Sequence, residues 1–292
     1  MSGSFSNYWK LTKPRIWGLL VFTGMVAMLV SYRETPGSVL SWPLVLTCLV
    51  SLILGSAAAD VLTNYHDRDI DGMMKRTMKR PIPSGQIAPS RALGFGLVMA
   101  ALSVLIPLTL INIYSAGFML IGLVDNVVVY SLLLKRRSWL NIILGGVSGG
   151  MPVLVGYAAV PNSDPLAPIA LYMSALVMAW IPTHIWSLAI FSKADYEAAR
   201  IPMLPVVFGD RVAAACIALT SALLAVFSIS IFLFTPLSVF YEATAVAGGA
   251  AVLAYSARLA MTRSKETAWT LFKLTSPYLT IIFLVLGVTI WL

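Results

Sequence analysis

Charged residues are scarce in this sequence: Asp, Glu, Lys and Arg together account for 11% of its 292 residues. Soluble domains contain about 25% charged residues, so this shortage excludes a soluble globular protein. Hydrophobic residues account for 59%, and the mean hydropathy is +0.87. No polar stretch is long enough to form a second domain. We therefore predict an integral membrane protein with a single transmembrane domain over residues 1–292.

Paired cysteines and a signal peptide are also missing. Cys48 and Cys216 both lie in apolar runs, without the spacing of a disulfide or metal motif. This placement favours two small buried side chains. Residues 1–12 lack the short apolar core and the cleavage site of a secretory signal peptide, so we expect none there.

Long apolar runs are what the sequence does contain. A membrane-spanning helix needs about 20 mostly apolar residues. This rule predicts an all-α polytopic membrane protein with nine transmembrane helices. To within a few residues, the predicted spans are 15–32, 41–60, 91–111, 114–134, 141–160, 166–190, 212–234, 238–258 and 270–291.

The basic residues indicate how these spans are oriented. If the chain crosses nine times, all of the 20 Lys and Arg residues except Arg33 fall on one side. Cytoplasmic loops of membrane proteins are rich in Lys and Arg, so we predict a cytoplasmic N-terminus and an outside C-terminus in the cell membrane. The net charge of +8 reflects a basic inner face on the lipid bilayer, and it gives no reason to expect nucleic-acid binding.

A polar segment, from Asp60 to Arg80, follows the second apolar run. If that span continues to about residue 72, one helix face carries carboxylates together with amide and hydroxyl groups, since residues advance by about 100° each. Asp69 points to the opposite side of this helix. The residues on the shared face are Asp60, Thr63, Asn64, Asp67 and Asp71.

Carboxylates on this face need a cation. Like charges at i and i+4 repel, and a charge at membrane depth costs about 2.5–3.5 kcal/mol. Mg²⁺ typically binds one or two carboxylates plus phosphate oxygens, so Asp67 and Asp71 are predicted metal ligands. The alternative is a solvated helix end whose acids pair with neighbouring Lys and Arg, and for Asp69 this alternative is favoured. Asp60 fits a ligand or a supporting role.

Basic residues follow the acids directly. Lys75, Arg76, Lys79 and Arg80 precede a proline-containing turn at residues 81–85. Acids that hold a metal beside Lys and Arg that hold oxyanions describe a diphosphate site. Topology alone explains some of these cations. Arg76 and Arg80 are the predicted diphosphate contacts because they lie nearest the turn.

A second polar segment lies at the end of the sixth span. His184 and Asp195 are eleven residues apart, which places them about 20° apart on a continuous helix. A basic residue, two prolines and Gly209 follow, as in the first segment. Two such half-sites on one side of the membrane could face each other, with one metal at each.

Several other positions have more than one interpretation. His184 is a ligand to iron or another metal, a hydrogen-bonded group that shapes a pocket, or a core histidine. Trp180 and Trp186 beside it suggest a pocket wall. The Gly-rich residues 145–152 either pack helices closely or leave room for a bulky ligand. Asp125 is an acid inside a span, which makes it a functional candidate with an open role.

These motifs resemble the UbiA-type intramembrane prenyltransferases over nearly the whole chain. The motifs that carry the resemblance are Leu11-Thr12-Lys13-Pro14-Arg15, Asp67-Arg68-Asp69-Ile70-Asp71 and Arg76-Thr77-Met78-Lys79-Arg80-Pro81-Ile82-Pro83-Ser84-Gly85. The segments that are similar to the haem-prenylating branch of that family are residues 130–136, Asn141-Ile142, Pro182-Thr183-His184-Ile185-Trp186, Asp195-Tyr196 and residues 202–207.

The resemblance implies nine helices around a central cavity that opens sideways to lipid, with two diphosphate–Mg²⁺ motifs at the cytoplasmic end. It implies farnesyl diphosphate and haem B as substrates and Mg²⁺ as cofactor. The implied site residues are Asp67, Asp71 and Asp195 for catalysis and metal binding; Arg76, Arg80, Lys135 and Lys193 for the diphosphate; and His184, Asn141 and Trp186 for haem or its pocket.

Two positions depart from the family pattern. The first motif of the family usually begins with Asn four residues before its first Asp, and Thr63 stands at that place with Asn64 beside it. Either Thr63 or Asn64 therefore supports the metal. In the second segment, Thr183 interrupts the usual Pro-His pair.

Two other functions fit parts of this pattern. A UbiA-type prenyltransferase could act on a quinone precursor or a lipid alcohol, although the segments around Asn141 and His184 favour haem. A transporter also carries charged residues within its spans, but it would place them near mid-bilayer. Both polar segments lie at one membrane face here, which favours diphosphate chemistry.

Overall fold

The computed structural model describes residues 2–291, without the side chains of residues 2–4 and of Arg15. Met1 and Leu292, the ends of the predicted domain, and the Arg15 side chain of the first family motif lie outside the described part. Nine helices within residues 2–291 are long and apolar enough to cross a membrane, which confirms the nine predicted spans and the all-α class.

Most of the helices follow one another with short connections, and the longest connection is formed by residues 74–88, between α4 and α5. A π-helix, Asp125–Leu134, continues α6, and a 3₁₀ turn, Ser230–Leu233, continues α11. The α-helices are α1 (Ser2–Leu11), α2 (Pro14–Glu34), α3 (Trp42–His66), α4 (Arg68–Met73), α5 (Pro89–Leu110), α6 (Ile113–Val124), α7 (Asn141–Leu144), α8 (Val147–Ala158), α9 (Pro168–Phe191), α10 (Lys193–Ala198), α11 (Leu204–Ile229), α12 (Val239–Thr262) and α13 (Lys265–Thr289).

Local sequence explains where the spanning helices begin. Proline occupies the first turn of α2, α3, α5, α9 and α11, where its missing N–H costs no helical hydrogen bond. Hydroxyl caps begin two other spans. The Ser238 Oγ accepts from the N–H of Tyr241 at 3.4 Å, and the Ser264 Oγ accepts from the N–H of Thr267 at 3.1 Å.

The seventh predicted span differs most from the structure at its start. The seventh was predicted to begin at residue 212, whereas α11 begins at Leu204. Gly209 lies inside α11 with φ 79° and ψ 170°, a conformation that side chains with a Cβ rarely adopt, and it kinks the helix. Hydropathy placed this polar, proline-containing first part in a loop.

The nine spans form a closed ring in chain order, with α13 packed against α2. In addition, α2 packs on α8, on the far side of the ring. Two openings result. A cavity of about 110 Å³ lies between α2, α3, α6 and α8, and a groove of about 620 Å³ lies between α2, α9 and α13. Ile16, at the start of the first span, lines both of them.

The approach of α2 to α8 is close because two glycines meet at their crossing. A Cβ added to Gly156 would be 1.9 Å from the carbonyl oxygen of Gly24. A Cβ on Gly149 would be 2.2 Å from the Ile181 side chain on α9. Of the two interpretations of the Gly-rich segment, close helix packing is therefore confirmed. Gly149 also lines the 110 Å³ cavity, so the segment borders an opening as well.

Candidate active site

The acidic segment is not one continuous helix. α3 ends at His66, and Asp67, with φ −87° and ψ 4°, joins it to α4. The condition that span 2 continues as one helix to about residue 72 is therefore not met, and the shared face that depended on it is interrupted at Asp67. The N–H of Asp71 still donates to the carbonyl oxygen of Asp67 at 2.8 Å, so these two acids remain one turn apart. Both side chains are buried at the end of α3.

Each of these two acids contacts a cation from elsewhere in the chain. Lys135 Nζ donates to Oδ2 of Asp67, whose side chain is fully buried. Arg80 donates to Oδ2 of Asp71 at 2.7 Å. A buried carboxylate is strongly destabilising unless it is paired, and each of these two has a cationic partner. We call Asp67, Asp71, Arg80 and Lys135 the polar cluster. It is formally neutral before any substrate binds.

Asp60 pairs with a different cation, at the junction of α1 and α2. Lys13 Nζ donates to its Oδ1 at 2.8 Å. Lys13 has a left-handed backbone, with φ 52° and ψ 61°, and precedes the first residue of α2. Burial lowers the pKa of Lys13 despite the attraction of the Asp60 carboxylate. The pair ties the start of α2 to α3, which gives Asp60 a supporting position at the rim of the 110 Å³ cavity.

Thr63 and Asn64 have different neighbours. The Asn64 Oδ1 accepts from Arg80 at 3.1 Å, and its amide donates to the carbonyl oxygen of Leu11 at 3.0 Å. The Thr63 hydroxyl instead donates to Oδ1 of Asn126 at 3.0 Å, on the π-helix. Asn64 is therefore the one of the two that contacts the polar cluster, through Arg80.

Asp69 lies apart from the polar cluster. Its side chain is 61% exposed and binds Arg136 through both carboxylate oxygens, at 2.6 and 2.8 Å. This hydrogen-bonded Arg136 guanidinium lowers the pKa of Asp69 to about 2. The expectation that Asp69 points away as a solvated acid is confirmed, although its partner comes from the loop after the π-helix.

Asp195 brings the second half-site against the first. Its Oδ2 accepts a hydrogen bond from the backbone N–H of Arg76 at 3.3 Å. The predicted helical phase between His184 and Asp195 is wrong, because α9 ends at Phe191 and α10 begins after a break at Ser192. The loop after α4 and the helix α10 nevertheless meet, as two facing half-sites require.

The two remaining basic residues that were predicted to bind the diphosphate differ in their surroundings. The Arg76 side chain is exposed, beside its own backbone contact with Asp195. Lys193 Nζ binds Oδ1 of Asp210 at 2.9 Å, at the kinked start of α11. The structure therefore pairs Lys193 with an acid that the sequence did not single out, and not with a member of the polar cluster.

The residues of the polar cluster fit a magnesium ion that arrives with a substrate. Asp67 Oδ1 and Asn141 Oδ1 are both buried without a hydrogen-bond partner among the described residues. Carboxylate and amide oxygens are hard donors that suit Mg²⁺. In the described part of the chain, no three His, Cys, Asp or Glu side chains form a metal site by themselves. Mg²⁺ commonly takes only one or two carboxylates and completes its shell with phosphate oxygens and water.

His184 lies on the groove between α2, α9 and α13, within a stack of rings. Its ring centroid is 4.5 Å from that of Trp180 and 4.2 Å from that of Phe272. The Thr275 hydroxyl donates its single proton to the carbonyl oxygen of Phe272 at 2.9 Å, so it accepts from His184 Nδ1 at 2.7 Å. In the tautomer with the imidazole proton on Nδ1, this contact leaves the lone pair on Nε2.

The other predicted pocket residues are not on this groove. Trp186 is fully buried in the helix core, with its indole N–H unpaired among the described residues. Asn141 donates to the carbonyl oxygen of Lys135 at 3.4 Å and so supports the loop that carries this lysine. Thr183, which interrupts the Pro-His pair, bonds to the hydroxyl of Thr220 on α11 at 2.8 Å.

Asp125, the acid within the fourth span, has a structural contact. Its Oδ2 accepts from the backbone N–H of Ser148 at 2.7 Å. This bond joins the start of the π-helix to the first turn of α8, where helical N–H groups lack partners. The open role of Asp125 is thus filled by a helix-terminal contact.

A ring of nine spans with facing acidic half-sites at one end is the architecture of one family of membrane enzymes. The model of the UbiA prenyltransferase family matches residues 20–286. The chain belongs to this family. Its structure is similar to that of a digeranylgeranylglyceryl phosphate synthase, with a TM-score of 0.80, 18% identity and coverage of 99% of both chains. It is also similar to a UbiA homologue from Archaeoglobus fulgidus bound to GPP and Mg²⁺, with a TM-score of 0.68, 18% identity and coverage of 97% and 100%.

Proteins that are similar to this chain in sequence carry a more specific name than that of the family. The chain is 43% identical to protoheme IX farnesyltransferase 2 of Cenarchaeum symbiosum, over 96% of this chain and 94% of the relative. It is 43% identical to protoheme IX farnesyltransferase of Thermoplasma volcanium, over 94% of each. The relative from Desulforudis audaxviator, with the same description, is 43% identical over 98% of this chain and 88% of its own length.

Proposed function

We propose that this chain transfers a farnesyl group from farnesyl diphosphate to a vinyl group of haem B. The observation that carries the proposal is the contact of Asp195 with the backbone of Arg76, which joins two acidic half-sites beside Arg80 and Lys135. The full-length relatives at 43% identity, all described as protoheme IX farnesyltransferases, support the choice of donor and acceptor.

The charge balance of the polar cluster explains a need for Mg²⁺. Asp67 and Asp71 are already neutralised by Lys135 and Arg80, so a diphosphate would add uncompensated negative charge to a buried site. A bound divalent cation would offset this charge. Asp67 and Asp71 from the first half-site and Asp195 from the second would hold it only together with the diphosphate oxygens, since in the described part of the chain the three carboxylates do not form a metal site by themselves. When bound, Mg²⁺ stabilises the negative charge of the departing diphosphate.

The chain's own cations assist at the same moment. The bond between C1 of farnesyl diphosphate and its bridging oxygen breaks, and the electron pair leaves with the diphosphate. Arg80 and Lys135 are placed to share this charge, with the exposed Arg76 at the entrance. Preorganised cations aimed at a developing oxyanion commonly provide the largest part of such catalysis. Lys193, held by Asp210, is left with a supporting role in α10.

The two carbon centres then combine. The vinyl π electrons of haem B form a bond to C1 of the farnesyl cation. Water adds to the new cation beside the porphyrin and loses one proton, which leaves a hydroxyethyl-farnesyl group. The cavity of about 110 Å³ is lined mainly by apolar groups, such as Leu20, Leu52 and Met119, with Asp60 at its rim. These apolar walls suit the isoprene unit next to C1, and they would keep water away from the first cation.

The polar cluster belongs to the cytoplasmic side in this proposal. The support is the distribution of basic residues, of which all but Arg33 fall on the side of the cluster. Cysteine labelling from either side of intact cells would test the orientation. Labelling of a cysteine at exposed Lys79 from outside would contradict it, and labelling at exposed Val39 from outside would support it.

Product analysis tests the function directly. Purified protein in lipid is incubated with haem B, farnesyl diphosphate and Mg²⁺, and the haems are extracted and separated by chromatography. We expect a more hydrophobic haem whose mass increases by one farnesyl group plus one hydroxyl group, with one diphosphate released per haem. Parallel reactions contain an aromatic quinone precursor or a prenylated glycerol phosphate. Product with either of these, and none with haem B, would contradict the proposal. Ion flux through vesicles without diphosphate release would favour a transporter.

A further inference from the structure

The groove between α2, α9 and α13 is lined by residues that suit a flat aromatic acceptor. The assignment of that acceptor as haem B rests on the proposed function. Trp180, His184 and Phe272 stack with interplanar angles of 21° and 27°. Phe272 continues the stack to Trp269 at 5.1 Å and 19°. Trp180, His184 and Phe272 line the groove. Stacked rings have their faces covered by one another, so they present edges to a ligand in the groove.

A porphyrin can lie flat across these edges with its iron at His184. Ring edges carry positive partial charge and attract the π face of another aromatic system. In the tautomer that donates from Nδ1 to Thr275, Nε2 keeps its lone pair for a ligand. That lone pair lies in the imidazole plane, so an iron bound to it belongs to a porphyrin perpendicular to the imidazole. A porphyrin across the stacked edges has this orientation.

A cation on α13 lies beside the same groove. Lys273 is exposed, and its Nζ lies 5.6 Å from the ring centroid of Trp269. No carboxylate pairs with it among the described side chains. On a helical projection, at about 100° per residue, Lys273 falls between the groove-lining Phe272 and Pro277. An unpaired charge within a membrane span is costly and usually marks a ligand or an ion path.

We propose that this groove is the haem acceptor site, in which His184 Nε2 binds the iron and Lys273 binds a propionate. The two contacts fix the porphyrin in its plane, since a propionate lies at its edge and the iron at its centre. Ile16 lines both this groove and the 110 Å³ cavity. The vinyl edge of the porphyrin therefore meets the farnesyl chain beside Ile16.

Binding measurements test the proposal without turnover. Purified protein is titrated with haem B and, separately, with its dimethyl ester, while the Soret band is followed. We expect wild type to bind haem B about tenfold more tightly than the ester, because the ester lacks the charged propionates. Lys273→Met should bind the two equally, and Lys273→Arg should restore the preference. Lys265→Met, an exposed lysine at the start of the same helix, is the matched control and should behave as wild type.

A second variant tests the iron contact. His184→Ala should lose the Soret position and the electron paramagnetic resonance signal of imidazole-bound haem, and added imidazole should restore both. The proposal would be overturned if the haem spectrum is unchanged in His184→Ala. It would also be overturned if Lys273→Met still prefers haem B to the ester, which is the result expected if Lys273 contacts only lipid headgroups. Haem binding with these signatures but no prenylated product would contradict the proposed function alone. Product formation that neither variant alters would contradict this inference alone.

Discussion

The backbone N–H of Arg76 donates to Oδ2 of Asp195 across 3.3 Å, although the two residues are 119 positions apart. The contact joins the loop after α4 to α10, the two segments that follow spans α3 and α9. The contact therefore holds the two segments side by side. The charge of Asp195 and its hydrogen bond can be separated experimentally, because an amide oxygen accepts the same bond without charge.

We expect Asp195→Asn to lose activity while it keeps the fold. The amide Oδ1 can still accept from Arg76, so the two segments stay together, but the charge that would help to hold Mg²⁺ is gone. The concentration of Mg²⁺ needed for half-maximal diphosphate release should rise about tenfold or more. Asp195→Ala, which loses both features, should also be less stable. Normal Mg²⁺ dependence in Asp195→Asn would limit Asp195 to a structural role.

Asp67→Asn and Asp71→Asn should each lower kcat for diphosphate release by at least about 100-fold. Each change removes a buried charge that a cation now faces: Lys135 at Asp67 and Arg80 at Asp71. Folding is followed by detergent gel filtration and circular dichroism. If both variants fold and retain activity, the metal assignment is wrong.

Asp69→Asn is the matched control, one residue from the sites of interest. Its carboxylate is exposed and bound to Arg136, so activity should stay close to wild type. Because the folded pKa of Asp69, about 2, lies below the unfolded value, its ion pair adds stability above about pH 3.9 and loses it as the pH falls toward 2. An exposed pair contributes at most about 1 kcal/mol, so Asp69→Asn should differ little from wild type in free energy of unfolding even at pH 7.

The sequence was sufficient to predict the nine spans and the neighbourhood of Asp67 and Asp71, because hydropathy and charge report directly on a membrane environment. It was not sufficient to predict the helix break at Asp67 or the one at Ser192. Phase arguments assume an unbroken helix, so one terminal residue with non-helical torsion angles invalidates them. Asp195 contacts the loop after α4 because the helix breaks at Ser192, and not because Asp195 shares a helix face with His184.

The sequence also could not predict which cation pairs with each acid. Lys13, Lys135 and Arg136 come from other elements, and nothing local indicates which acid each will meet. Two residues on α13, Trp269 and Lys273, could have indicated the groove from the sequence. Trp269 and Lys273 are one helical turn apart in an apolar span, a spacing that places an aromatic ring and a cation on one helix face.

Lys135→Met should be far more damaging than Lys193→Met. Lys135 contacts the fully buried Asp67, so its loss leaves a buried carboxylate unpaired and removes a cation from the diphosphate site. Lys193 pairs with the more exposed Asp210, away from the polar cluster. We expect at least about tenfold lower kcat/KM for farnesyl diphosphate in Lys135→Met and less than about threefold in Lys193→Met. Equal losses in the two variants would place Lys193 at the diphosphate.

Asp125→Ala should destabilise the protein by about 1–3 kcal/mol, because the half-buried N–H of Ser148 loses its acceptor. Asp125→Asn should cost less than about 1 kcal/mol, since the amide oxygen can still accept the bond. Reversible unfolding in mixed micelles measures both values, and diphosphate release at a temperature where both are folded provides the comparison. Full stability combined with lost activity in Asp125→Asn would instead assign Asp125 a chemical role.

Gly156→Ala tests whether the crossing of α2 and α8 shapes both openings. The added Cβ would lie 1.9 Å from the carbonyl oxygen of Gly24, and backbone cannot move away as a flexible side chain can. We expect a loss of about 1–3 kcal/mol in the free energy of unfolding from overpacking. Gly94→Ala on α5 is the control, because nothing lies within 4 Å of its added Cβ. That change should be neutral or stabilising by up to about 1 kcal/mol.

Because α2 lines both the cavity and the groove, Gly156→Ala should also raise KM for haem B and for farnesyl diphosphate together. A rise in only one of these values would mean that the two openings are shaped independently.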